Sequence, residues 1–183
     1  MGYEAAINKA WDDLATLNVT DAVSIRFLAD EYTVDFGQKR VTSLSCNVPA
    51  KDFTAILLLH YLFRQLNGLP GLTNEWLSFK ELSGVEGYYP AFRKRAIEPI
   101  VRKYGRHPEG ILLVLERLPA KRVSEGDVGI VIEAFEAVPA LITLWRADTE
   151  FGPEANMLFD KSVAGIFCIE DIVVLAGIIA SAL

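Results

Sequence analysis

The residues with the clearest chemical potential are basic side chains that follow a group of aromatic residues in the middle of the chain. Arg93 and Arg95 come shortly after Tyr88 and Tyr89, and Trp76 precedes them in loop-like sequence. Guanidinium groups bind phosphate and carboxylate oxygens, while aromatic rings supply flat apolar contact area. The pattern predicts that these five residues form a pocket for a small anionic ligand.

Charge is unevenly distributed around this segment. Positions 93–122 carry nine basic and three acidic residues, although the net charge of the whole chain is −6. A basic groove for an anion is one interpretation, and a solvated helix face is the other. Nucleic acid is disfavoured as a partner because the chain is acidic overall. The residues proposed for the groove are Arg93, Lys94, Arg95, Arg102 and Lys103.

Asp148, Glu150 and Asp160 are the candidates for general acid or base chemistry, since they follow a dense apolar run and sites often form where buried strands end. A hairpin tip between them places Asp148 opposite Asn156. Asp160 then faces Leu144, which separates the two aspartates by on the order of 13 Å at roughly 3.3 Å per residue. That separation is too long for a shared-proton pair. A solvated acidic turn is the alternative.

Histidines and cysteines are few and widely spaced. His60 and His107 lie far apart, and Cys46 and Cys168 form no closely spaced pair, so no metal site is predicted and any cofactor is unspecified. Two isolated cysteines in apolar sequence are typical of reduced core thiols in a cytosolic protein. Dinucleotide, phosphate-loop, zinc-protease and nucleophile-elbow motifs are missing, which disfavours those enzyme classes.

The elements that must position these residues are predicted from hydrophobic periodicity and from turn and capping residues. Pro90 opens a helix that Pro99 should bend or end early. The other predicted helices cover 3–17, 20–28, 52–66 and 110–117, with a last one after Glu170 and Asp171. The predicted strands cover 32–36, 41–46, 76–81, 128–135, 140–145 and 156–160.

The runs 128–135 and 140–145 are apolar on consecutive residues, which predicts strands covered on both faces. We therefore expect an α+β fold with a mixed or antiparallel central sheet covered by helices, in a single domain over 1–183. The longest apolar stretch, 172–183, is shorter than the roughly 20 residues of a spanning helix. Charged positions within 1–17 argue against a secretory signal, so a cytoplasmic location without membrane contact is expected.

A family resemblance is carried by the blocks 59–62, 87–92 and 144–151, followed by 158–160 and 170–171. They resemble DUF3786, a domain-of-unknown-function family of anaerobic bacteria and archaea, over most of the chain. Some members carry an added cysteine motif similar to an iron–sulfur ligand set, which implies a link with anaerobic redox or corrinoid metabolism. This chain departs from that motif, because it lacks closely spaced cysteines. The resemblance implies no agreed activity and no catalytic residues.

The leading hypothesis from the sequence is a non-catalytic accessory or ligand-binding protein that holds a small anion beside the aromatic and basic residues. One alternative is an enzyme that uses Asp148, Glu150 or Asp160 as general acid or base. Another is a protein–protein interaction module whose acidic and basic faces support self-association.

Overall fold

The structure is a computed structural model that describes residues 2–183 and contains two antiparallel sheets with helices packed on them. The predicted α+β class is confirmed, although the strands form two sheets instead of one. The α-helices are α1 (Glu4–Ala15), α2 (Asp52–Asn67), α3 (Tyr89–Phe92), α4 (Glu98–Tyr104) and α5 (Ile169–Ala182). The strands are β1 (Val23–Phe27), β2 (Asp30–Asp35), β3 (Arg40–Ser43), β4 (Val48–Pro49), β5 (Trp76–Ser78), β6 (Ala120–Val123), β7 (Val128–Phe135), β8 (Val138–Trp145) and β9 (Glu154–Asp160).

The small sheet is a meander in which β1, β2, β3 and β4 are neighbours in that order. The predicted hairpin is confirmed, since Thr33 of β2 pairs with Thr42 of β3. The helix predicted over 20–28 is wrong, because β1 occupies that segment. Ile25 and Phe27 are buried and alternate with exposed neighbours, which is the period of a strand.

The large sheet has the order β5-β9-β8-β7-β6, so β8 is its middle strand. β7 and β8 are buried at most positions along their length, as their continuous apolar sequences predict. β9 pairs with β8 and carries β5 on its outer side. The edge formed by β5 and β9 faces the helical segment with the basic residues.

An aromatic stack connects the two sheets. Phe135 at the end of β7 lies between Phe27 of β1 and Tyr61 of α2, with both centroid distances at 4.3 Å. All three side chains are buried. The Leu28 amide adds a hydrogen bond of 2.7 Å to the carbonyl oxygen of Ala134. The small sheet, the large sheet and α2 therefore share one apolar core.

Two long helices complete that core. The helix predicted over 52–66 is confirmed as α2, which packs against α1 and α5. The predicted C-terminal helix is confirmed as α5, and its buried face contains Ile172, Leu175 and Ile179. Within residues 2–183 no helix has both the length and the apolarity that a membrane crossing requires.

Short helical turns take up several connections. The α-helix predicted over 110–117 is wrong in type, since Pro108–Glu116 forms a 3-10 helix. Two further 3-10 helices follow β5 and β9, at Phe79–Glu81 and Lys161–Gly165. The first of these places Phe79 and Lys80 beside the helical segment that begins at Tyr89.

Candidate functional site

A π-helix at Arg93–Ile97 connects α3 to α4 and carries three exposed basic residues. Pro99 gives a physical reason for it. Proline lacks a backbone N–H, and its ring collides with the carbonyl group four residues earlier, here that of Arg95. The wider π turn relieves this conflict, so the helix continues to Tyr104 and does not end early. Such π segments occur frequently at functional sites.

The first groove lies between this helical segment and the β5–β9 edge of the large sheet. It has a volume of about 760 Å³, which is within the range of small-molecule sites. Its lining combines cations, aromatic rings and aliphatic side chains. The lining residues are Ser78, Phe79, Lys80, Tyr89, Phe92, Arg93, Ile97, Glu98, Val101, Arg102, Gly152, Pro153, Glu154, Ala155, Asn156 and Met157.

Aromatic rings form one wall of the first groove. Phe79 and Phe92 stack with their centroids 4.2 Å apart, and Tyr89 lies 6.4 Å from Phe92. The Lys80 ammonium group is 4.4 Å from the centroid of the Tyr89 ring. Tyr89 is only half-buried, so part of its ring is open to a ligand. This wall can contact a flat apolar group while a cation stands beside it.

Cations outnumber carboxylates in the first groove. Arg93 forms a loose ion pair with Glu98, with 3.7 Å between Nε and Oε1. Lys80 and Arg102 form no ion pair with a carboxylate anywhere in residues 2–183. Three cations against Glu98 and Glu154 leave one net positive charge on the lining. The groove can therefore accept an anion without burying an unpaired negative charge.

Residues 11–182 match the family described as Domain of unknown function (DUF3786). The chain belongs to the DUF3786 family. The match covers nearly the whole chain, which confirms the resemblance found in the sequence. No curated protein and no solved structure matches the chain.

The residues predicted to bind an anion do not lie together in one groove. Tyr89 and Arg93 line the first groove, whereas Arg95 lines a second groove on the other side of the π-helix. Residues two positions apart on a helix do not share a face, which is why the two arginines separate. Lys80 is a lining residue that sequence reasoning missed, because it reaches the groove from a separate turn after β5. Arg102 was predicted from the basic segment.

Trp76 and Tyr88 lie outside the linings of both grooves. Trp76 is half-buried in β5, where it pairs with Asp160 of β9. The Tyr88 hydroxyl donates a hydrogen bond to Glu170 at the start of α5. Trp76 therefore belongs to the sheet edge, and the Tyr88 side chain contacts a helix terminus. The five predicted ligand-binding residues do not converge on one pocket.

Asp148 and Glu150 belong to the turn between β8 and β9. One carboxylate oxygen of Asp148 accepts hydrogen bonds of 2.7 Å from the amides of Glu150 and Phe151. Both bonds lower the pKa of Asp148, and the bond from Phe151 has the larger effect. An exposed carboxylate held in its ionised form by its own turn is a turn cap. Glu150 is exposed and lies in neither groove lining.

Asp160 lies at the far end of β9, away from Asp148. The predicted register is wrong, because Asn156 pairs with Thr143 and Leu144 pairs with Ala155. A longer connection between β8 and β9 shifts the pairing and places the two aspartates at opposite ends of the strand pair. The three carboxylates therefore do not form one acid–base site. Asp160 is instead a buried acceptor for the loop that precedes β5.

A cluster at the N-terminus of α5 was not predicted as a unit. One Asp171 oxygen lies 2.8 Å from Nδ1 of His60 and 3.2 Å from the Cys168 sulfur, so it accepts hydrogen bonds from both. The predicted core location of the cysteines is wrong, since Cys46 and Cys168 are both exposed. Partial desolvation is the largest effect on the pKa of Cys168, and it and the Asp171 charge together outweigh a backbone hydrogen bond to Asp171 and raise the pKa to about 12. The thiol is therefore protonated at neutral pH and acts as a capping donor.

Proposed function

We propose that this DUF3786 protein binds a small organic anion with an aromatic part in the first groove. The observation that carries the proposal is that two cations without an ion-pair partner, Lys80 and Arg102, line the same groove as the aromatic wall. Arg93 adds a third cation, whose loose contact with Glu98 can be exchanged for a ligand oxygen.

The proposed ligand has two parts because the groove has two kinds of lining. The anionic group is bound by the guanidinium groups of Arg93 and Arg102, which suit phosphate and carboxylate oxygens. The flat group packs on the ring of Tyr89 and the aliphatic side chains opposite it. Neither part alone uses the whole groove, so affinity should depend on both being present.

Titration calorimetry with phenyl phosphate tests this proposal, with inorganic phosphate and benzyl alcohol as one-part probes. Phenyl phosphate should bind, and both one-part probes should bind at least tenfold more weakly. In the double variant Arg93→Gln, Arg102→Gln, affinity for phenyl phosphate should fall by about tenfold or more, because hydrogen bonds to charged groups are lost. Tyr89→Ala should weaken phenyl phosphate by roughly three- to tenfold and leave inorganic phosphate unchanged.

Arg106→Gln is the matched control, because Arg106 is exposed in the same basic segment but lies outside the groove lining. Equal loss of affinity in this control and in the double variant would reduce the effect to general attraction by surface charge, and the proposal would fail. The link with anaerobic redox or corrinoid metabolism is a further part of the proposal. Native mass spectrometry of protein purified without air tests it through the identity of a retained ligand.

A further inference from the structure

A second groove lies on the opposite side of the π-helix from the first. It has a volume of about 690 Å³ and is bordered by α5, the start of α2 and the β3–β4 end of the small sheet. No residue lines both grooves. A ligand in the second groove would therefore contact a separate set of side chains.

Three basic side chains stand at this groove without an ion-pair partner. Lys51, Lys94 and Arg95 are exposed and pair with no carboxylate in residues 2–183. Asp30 is the one carboxylate in the lining, and its oxygens already accept hydrogen bonds from the hydroxyls of Ser43 and Ser45. The lining carries a net charge of +2, and its cations are free to bind an anion.

The lining of the second groove also contains aliphatic side chains of α5 and the rings of Tyr3, Tyr32 and Phe53. Val174 and Ile178 of α5 line the groove together with Phe53 of α2, and Val48, another lining residue, is 51% exposed. An exposed aliphatic side chain beside a partly open apolar wall leaves hydrophobic area in contact with water. Covering this wall with a ligand tail gains free energy in proportion to the area removed from water.

We propose that the second groove is a binding site for a single-chain aliphatic carboxylate. The carboxylate is bound by Lys94 and Arg95, and the tail lies along Val174 and Ile178. The charge of the groove selects an anion, and the aliphatic side chains of α5 give its tail an apolar surface to cover. This site is independent of the proposed function, because different residues form it.

A chain-length series measures both parts of the recognition. Octanoate should bind, acetate should not, and each added methylene should tighten binding by roughly three- to fourfold until the tail fills the groove. Octanol carries the same tail without the charge and should bind at least tenfold more weakly than octanoate. Equal affinities for acetate and octanoate, or for octanol and octanoate, would overturn the proposal.

Two variants test where octanoate binds, and a third variant in the first groove is the control. Lys94→Gln, Arg95→Gln should weaken octanoate by about tenfold or more, and both side chains are exposed, so the fold should persist. In Gly177→Met the added Cβ lies 3.6 Å from the Arg95 Cβ, an ordinary contact, and the longer side chain fills the groove. Arg93→Gln, Arg102→Gln should leave octanoate binding unchanged. Octanoate binding that survives the first two variants, or that is lost in the third, contradicts this site.

Cys46 supplies a readout that does not depend on heat of binding, since it lines the second groove and is exposed. In a Cys168→Ser background, octanoate should slow alkylation of Cys46 by at least tenfold at saturation, and phenyl phosphate should not. Unchanged alkylation with octanoate would overturn the proposal. Protection that rises with protein concentration without octanoate would show that a second copy of the chain occupies the groove instead.

Discussion

Asp160→Ala is expected to lower the free energy of unfolding by about 3–5 kcal/mol, because the Asp160 carboxylate is a buried acceptor for several donors. It is 2% exposed and accepts hydrogen bonds from the amides of Thr73, Asn74 and Ser162 at 3.1, 2.7 and 2.9 Å. The Thr73 hydroxyl donates a further bond of 2.9 Å. Alanine leaves these donors without their acceptor, each at a cost of about 1–3 kcal/mol where it stays buried.

The pH dependence of stability should report the same carboxylate. Burial alone would raise the pKa of Asp160, but hydrogen bonds from Ser162 and Thr73 outweigh it and lower the pKa from 3.8 to about 2. Because the folded state has the lower pKa, the stabilisation is complete above the unfolded pKa and disappears as pH falls through the folded one. The shift corresponds to about 2 kcal/mol. The stability advantage over Asp160→Asn should shrink by that amount between about pH 5 and about pH 2.

Urea denaturation at several pH values measures both effects, and Asp148→Ala is the matched control. Asp148 also caps a turn, but it is exposed, so water can replace it as the acceptor and the loss should be much smaller. If Asp160→Ala unfolded with the same free energy as the wild-type chain, Asp160 would not be a structural acceptor. Its assignment as a candidate acid or base would then regain support.

Phe135→Ala is expected to lower the free energy of unfolding by about 3–5 kcal/mol, since it removes the middle ring of the stack between the two sheets. Phe135 has no exposed surface and contacts Phe27, Tyr61 and Phe167. The cavity left behind would lie between β1, β7 and α2. Because both sheets share this core, the wild-type chain and the variant should each unfold in one cooperative transition.

Circular dichroism and tryptophan fluorescence in the same denaturation series check this prediction. Phe135→Leu keeps most of the apolar volume and should lose less stability than alanine. Phe151→Ala removes the same ring type at a position that is 65% exposed, and should change stability by no more than about 0.5 kcal/mol. Two separate transitions, or equal effects at 135 and 151, would show that the sheets do not form one folding unit.

Elements with a single strong signal were predictable from the sequence. The continuous apolar runs of β7 and β8 and the broad apolar face of α2 each leave one structural solution. The segment 20–28 misled because Thr20 and Asp21 are good capping residues, whereas the alternation of Ile25 and Phe27 decided the outcome. Capping preferences of about 1 kcal/mol yield to the burial of two large side chains. The separation into two sheets depends on contacts between distant segments, which no local pattern contains.

The candidate site was predictable only in part. The basic segment identified Arg93 and Arg102, and the aromatic residues before it identified Tyr89. Arg93 and Arg95 were assigned to one pocket because they are close in sequence, although residues two positions apart on a helix do not share a face. Lys80 reaches the groove through tertiary folding alone. The acidic candidates misled because the register of the β8–β9 hairpin depends on the length of its turn, which fixes the partner of every later residue.

Side-chain NMR during a phenyl phosphate titration tests most directly whether the first groove binds an aromatic anion. The ring signals of Tyr89 and the side-chain signals of Arg102 and Asn156 should shift together and saturate at one common dissociation constant. Signals of Arg95 in the second groove and of Arg106 outside both should stay in place. No saturable shift at Tyr89 and Arg102, or equal shifts at Arg95 and Arg106, would contradict the claim.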